Sequence, residues 1–157
     1  MDDSLSVAGP SPRTLSGTLV GTWQLESRID CTASGERRSE PSLGADPIAL
    51  LYYDSSGHFA AQFMKRQRDA SVVNATASGS NNTRAVGGYD AYFGTYSVDD
   101  ASGTVTQTLV GALSHENVGH VVTREMRVTG DTLTIELETT SSDGEPVTRT
   151  LIWKRIG

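Results

Sequence analysis

The chain has 157 residues, of which 36% are hydrophobic and 20% charged, and a formal net charge of −6; this is the length of one domain that buries its core without staples. The acidic balance argues against nucleic acid, whose binders present a basic face, and against an anionic membrane surface. A single cysteine, Cys31, excludes an intramolecular disulfide.

Residues 1–17 are rich in Ser, Pro and Gly and are expected to form a mobile tail ahead of one domain spanning 18–157. The opening stretch has no signal-peptide apolar run, and no segment approaches the roughly 18 apolar residues of a membrane helix, so a cytoplasmic protein is expected. From Leu19 onward the dominant period is two. In Thr22–Ile29, Trp23, Leu25, Ser27 and Ile29 share one side while Thr22, Gln24, Glu26 and Arg28 share the other, the pattern of a half-buried strand. Residues 30–46 are polar, with room for one short edge strand. Ile48–Tyr53 reads as an apolar strand, Asp54–Gly57 as a turn, and His58–Arg66 as the returning arm of a hairpin. Residues 67–88 are long and polar for a connection, which predicts a lid with space for a short helix. Tyr89–Val98, Thr104–Leu113, His120–Thr129, Thr132–Thr139 and Val147–Lys154 complete the set, joined mostly by short turns. The expectation is an all-β fold, one antiparallel up-and-down β-barrel of about eight or nine strands with at most one or two short helices. Closure removes exposed edges, and eight strands leave room for one small ligand.

Leu19-Val-Gly-Thr-Trp23 resembles the Gly-x-Trp opening of lipocalins, and Leu151-Ile-Trp-Lys-Arg155 resembles their closing strand. Between them, PIALLYY at 47–53, GHFAAQFMK at 57–65, GYDAYFGTYSVD at 88–99 and GDTL at 130–133 follow in order. Together these are similar to the lipocalin-like domain family of bacteria and fungi, over about residues 18–155. Gln107 stands where that family usually has His. The resemblance implies a barrel around an apolar cavity. It leaves open a cofactor-free isomerase or cyclase of secondary metabolism, a carrier of pigments, lipids or polyketides, and an empty structural module.

The residues offer no phosphate loop, Cys-x-x-Cys or His-Glu-x-x-His, and no Gly-x-Ser-x-Gly elbow. His58, His115 and His120 are too loosely spread for a zinc site, so neither metal nor cofactor is expected. What remains is polar groups on apolar strand faces. Arg124 shares its phase with Val122, Met126 and Val128, and a buried guanidinium needs an anion or a carbonyl. It either meets a ligand oxygen, or closes a structural ion pair or an aromatic stack near the barrel end. Tyr53, Tyr92 and Tyr96 put hydroxyls on rigid rings, for donation to an oxyanion or for plain packing. Arg124, Tyr92 and Tyr96 are therefore the catalytic candidates. Trp23, Tyr53, Gln62, Met64, Gln107, Met126 and Trp153 are the ligand-binding candidates, with the inner face of the Gln62 strand left open. Trp23 and Trp153 also suit a plug at one barrel end, covered by Lys154 or Arg155. The expected partner is an apolar small molecule, with no nucleic acid and no membrane, bound by a monomer or homodimer.

Overall fold

The period-two pattern becomes nine strands in the computed structural model, which describes residues 14–73 and 85–157. They are β1 (Gly21–Cys31), β2 (Arg37–Arg38), β3 (Ile48–Tyr53), β4 (His58–Met64), β5 (Tyr89–Asp99), β6 (Thr104–Ala112), β7 (Val121–Thr129), β8 (Thr132–Thr140) and β9 (Pro146–Arg155). Two short helices accompany them, α1 (Leu15–Leu19) and α2 (Ala70–Val73), with a 3-10 turn at His115–Asn117. Every strand from β3 to β9 pairs antiparallel with its neighbours in sequence order, and β1 pairs with both β3 and β9. The result is a closed eight-stranded barrel, with the two-residue β2 added at the far end of β1. Among the described residues no helix is long and apolar enough to cross a membrane.

Alternation fills the interior from all sides. Ala49, Leu51 and Tyr53 point inward from β3, Phe59, Ala61 and Phe63 from β4, and Leu151 and Trp153 from β9, all buried. This settles the face left open on β4: Gln62 is exposed and Met64 only half-buried, both on the outer side.

One strand departs from the expected phase. Trp23 and Leu25 point inward, but the register of β1 against β9 shifts between Leu25 and Ser27. A bulge adds one residue, and a one-residue slip sends every later side chain to the other face. Arg28 and Asp30 are thereby buried in the barrel, where the sequence pattern places Ser27 and Ile29. A second irregularity separates Phe93 from Gly94 where they face β6, and Val110 is the extra residue.

One end of the barrel is sealed. Thr14 caps α1 by accepting from the Gly17 amide, and Leu19 at the helix end is fully buried. The Trp23 indole donates to Leu19 O at 3.0 Å. The Arg155 guanidinium lies 4.3 Å above the Trp23 ring and donates to the Thr18 and Val20 carbonyls. Gly21, at φ 147, is needed beside it, because a Cβ there would stand 2.5 Å from Arg155 Nη1. The expected tail falls partly on α1 and partly on residues 1–13, which lie outside the described residues, as do residues 74–84 of the expected lid.

Candidate functional site

The barrel interior away from α1 is incompletely filled. A cavity of about 60 Å³ remains. On the same measure one water takes roughly 10–15 Å³, so the space suits a few waters or a carboxylate-sized group. Leu51, Ile135, Leu151 and Trp153 give it apolar walls, and Phe63 and Leu43 extend them. Trp153 meets Phe63 edge-on at 5.7 Å between ring centroids, and its buried indole N–H has no acceptor among the described residues.

Three arginines line this cavity, Arg28, Arg124 and Arg149. Two are neutralised. Arg149 grips Asp30 with both arms of its fork, Nε to Oδ1 at 2.7 Å and Nη2 to Oδ2 at 2.9 Å. Arg28 pairs with Glu40 at 2.8 Å. Burial lowers the Arg28 pKa and Arg149 adds repulsion, with Glu40 and Asp30 opposing them. Burial by itself would raise Glu40, but Arg28 and the Ser42 hydrogen bonds outweigh it and hold the carboxyl below the usual range. Glu40 also accepts from the Ser42 and Leu43 amides. One carboxylate thus pairs the arginine and shapes the turn that brings Leu43 to the cavity.

Arg124 differs. It is half-buried and donates one N–H to Thr123 O at 3.2 Å. Among the described residues it has no carboxylate partner. Burial lowers its pKa; the nearby Tyr92 and Tyr53 hydroxyls oppose that and Arg149 adds to it. A guanidinium nevertheless stays charged in a protein. Pairing of β7 with β8 stops at Glu125 and Glu136, so Arg124 lies where the two strands begin to part.

At the cavity floor the Tyr53 hydroxyl donates to Gln107 Oε1. Tyr53 is fully buried, and burial, with Tyr92 and Tyr96 adding to it, pushes the phenol well above its ordinary pKa. It is a permanent donor rather than a base. Alkaline titration followed by phenolate absorbance should therefore be the same for wild type and Tyr53→Phe until the protein unfolds. An early difference of one phenolate would refute this.

The structure brings Arg124, Tyr92, Tyr53, Gln107, Met126 and Trp153 to one cavity. Tyr96 is not among its lining groups. Its hydroxyl donates to Asp54 O at 2.6 Å, and its ring stands edge-on to Tyr53 at 4.8 Å. Trp23 seals the opposite end, and Gln62 and Met64 lie on the outer wall, because the Phe59 face of β4 is the buried one. The three histidines are exposed, and the described residues hold no metal-ligating cluster. Arg28, Asp90 and Arg149 are cavity groups beyond the sequence expectation, and Glu40 is the partner of the first. Asp90 was open to detection, since it alternates with Tyr92 on the inner face of β5.

A family model for a lipocalin-like domain matches residues 20–156. No curated protein matches the chain. With that match running through the closed barrel that surrounds the cavity, the chain belongs to the lipocalin-like domain family.

Proposed function

We propose that the barrel binds an apolar small molecule by its oxygen-bearing end and acts on it as a cofactor-free isomerase or cyclase. The observation that carries this reading is Arg124, a cavity-lining cation with no carboxylate partner among the described residues. A fixed positive charge in a water-poor site stabilises an enolate as it forms from a carbonyl. Tyr92, on the same cavity, is assigned the second donor. Asp90 also lines it and is assigned to take a proton from the carbon beside the carbonyl and return it elsewhere on the substrate. Holding a flexible substrate in one geometry supplies much of the remaining rate.

The apolar walls favour a second reading, a carrier that sequesters its ligand without changing it. Incubation with excess β,γ-unsaturated cyclohexenone separates the two. The enzyme reading expects many turnovers to the conjugated isomer. It also expects Arg124→Met to abolish turnover with an unchanged melting temperature. Stoichiometric protection without product, equal for both proteins, would support the carrier. Binding of no apolar probe at all would defeat both readings.

A further inference from the structure

Gln107 is 5% exposed, and its amide can turn only one way. The Tyr53 hydroxyl has two acceptors in reach, Gln107 Oε1 and the Met126 sulfur at 3.8 Å, and a thioether is a weak acceptor. The phenol therefore holds Oε1, and that contact fixes the position of Nε2. No described residue accepts from Nε2, although Gln107 lines the cavity.

Arg124 stands close to it. Gln107 lies opposite Val122, two residues before Arg124, in the β6–β7 register. The two side chains are thus diagonal neighbours, with backbones about 7–8 Å apart, a gap that a group with two oxygens can bridge. The other lining charges are occupied: Arg28 by Glu40, Arg149 by Asp30, and Asp90 by an interaction of its own. Among the described residues, Arg124 and Gln107 Nε2 are left here as donors, and they carry one positive charge.

We infer that the cavity selects its ligand by a single oxyanion, a carboxylate or an enolised 1,3-dicarbonyl, held between Arg124 and Gln107 Nε2. Gln107 is the specificity-determining residue and Tyr53 the positioning residue that locks it. The inference rests on the ligand-binding half of the function proposed above and is independent of catalysis. A hydroxyl or amide head offers these donors one uncharged oxygen and brings N–H or O–H groups that find no acceptor there, and sites of this kind penalise buried polar groups left unpaired. The cavity of about 60 Å³ takes such a head only. The apolar body then lies toward the rim, against Phe63, Leu43 and Leu137.

Calorimetric titration of the whole chain with naphthoate, naphthamide and naphthalene tests this. Naphthoate should bind at least about tenfold more tightly than the other two, the scale of one charged hydrogen bond. Arg124→Met should reduce naphthoate to the level of naphthalene. Tyr53→Phe frees the Gln107 amide to turn, so it should shrink the preference for naphthoate over naphthamide. A purely structural role for Tyr53 would weaken all three ligands alike. If either variant misfolds, the wild-type ranking decides. Equal binding of naphthoate and naphthalene, or a preference for naphthamide, overturns the oxyanion inference and leaves the cavity reading standing. No binding of any of the three overturns both.

Discussion

Arg149→Met should destabilise the protein by about 3–5 kcal/mol, the usual cost of stranding one partner of a buried ion pair. Asp30 and Arg149 are each 3% exposed, and the carboxylate spends both oxygens on this guanidinium. With Arg149 gone, the buried Asp30 charge keeps no ion-pair partner among the described residues. The pair also spans the seam where the barrel closes, since Asp30 and Arg149 are direct register partners on β1 and β9. For a chain of this size the loss corresponds to a fall in melting temperature of roughly 10 °C or more. The double variant Asp30→Leu with Arg149→Met should recover much of it, because a buried pair replaced by apolar groups is often neutral. Arg124→Met is the contrast: it strands no carboxylate among the described residues, so its melting temperature should stay close to wild type. Thermal melts of the four proteins decide the matter. A small loss for Arg149→Met would show that the pair does not hold the seam, and no recovery in the double variant would show that the loss does not come from the stranded Asp30 charge.

These two arginines also mark how far the sequence could be read. Strands β3, β7 and β9 were legible because their inward residues alternate along the strand, and Arg124 was legible because Val122, Met126 and Val128 set its phase. On β9 the same logic was open to Arg149, which alternates with Val147, Leu151 and Trp153. Its partner was hidden. The apolar set Trp23, Leu25 and Ile29 runs in one unbroken phase through the sequence, and only pairing with β9 shows the bulge that turns Asp30 inward. Bulges depend on the facing strand, so a single strand's periodicity does not carry them. Glu40 and Leu43 were hidden for another reason. They sit in a polar segment with no period; Glu40 pairs with Arg28 and organises the turn that brings Leu43 to the cavity. On β4, apolar residues on both faces left the phase undetermined, because Ala60 and Met64 read as well as Phe59 and Phe63. The aromatic outside of neighbouring β5 arises in the same way: Phe93 is 55% exposed and lies across Gly111 of β6.

Gly94→Ala should cost about 3 kcal/mol, at the upper end of what inserting one methyl into a filled space does, and should also disturb the site. A Cβ at Gly94 would lie 1.8 Å from Thr108 O and 2.8 Å from Val110 N. Both are backbone atoms of the facing strand, so no side-chain rotation relieves the clash and β5 must separate from β6. The two strands meet closely here because Val110 is the extra residue of the β6 bulge, with Gly94 opposite Leu109 and Phe93 opposite Gly111. Gly94 therefore serves close backbone approach and leaves no open space for a ligand. Separation reaches the cavity from both sides, since Tyr92 lies two residues before Gly94 and Gln107 lies two residues before Leu109. Naphthoate affinity should fall together with the melting temperature. Gly111→Ala provides the control. There the atoms nearest to a Cβ belong to the Phe93 ring, at 2.5 Å, and an exposed ring can swing outward, so the loss should be smaller. A Gly94→Ala protein that melts like wild type, or one less affected than Gly111→Ala, would show that the two strands have slack at this crossing.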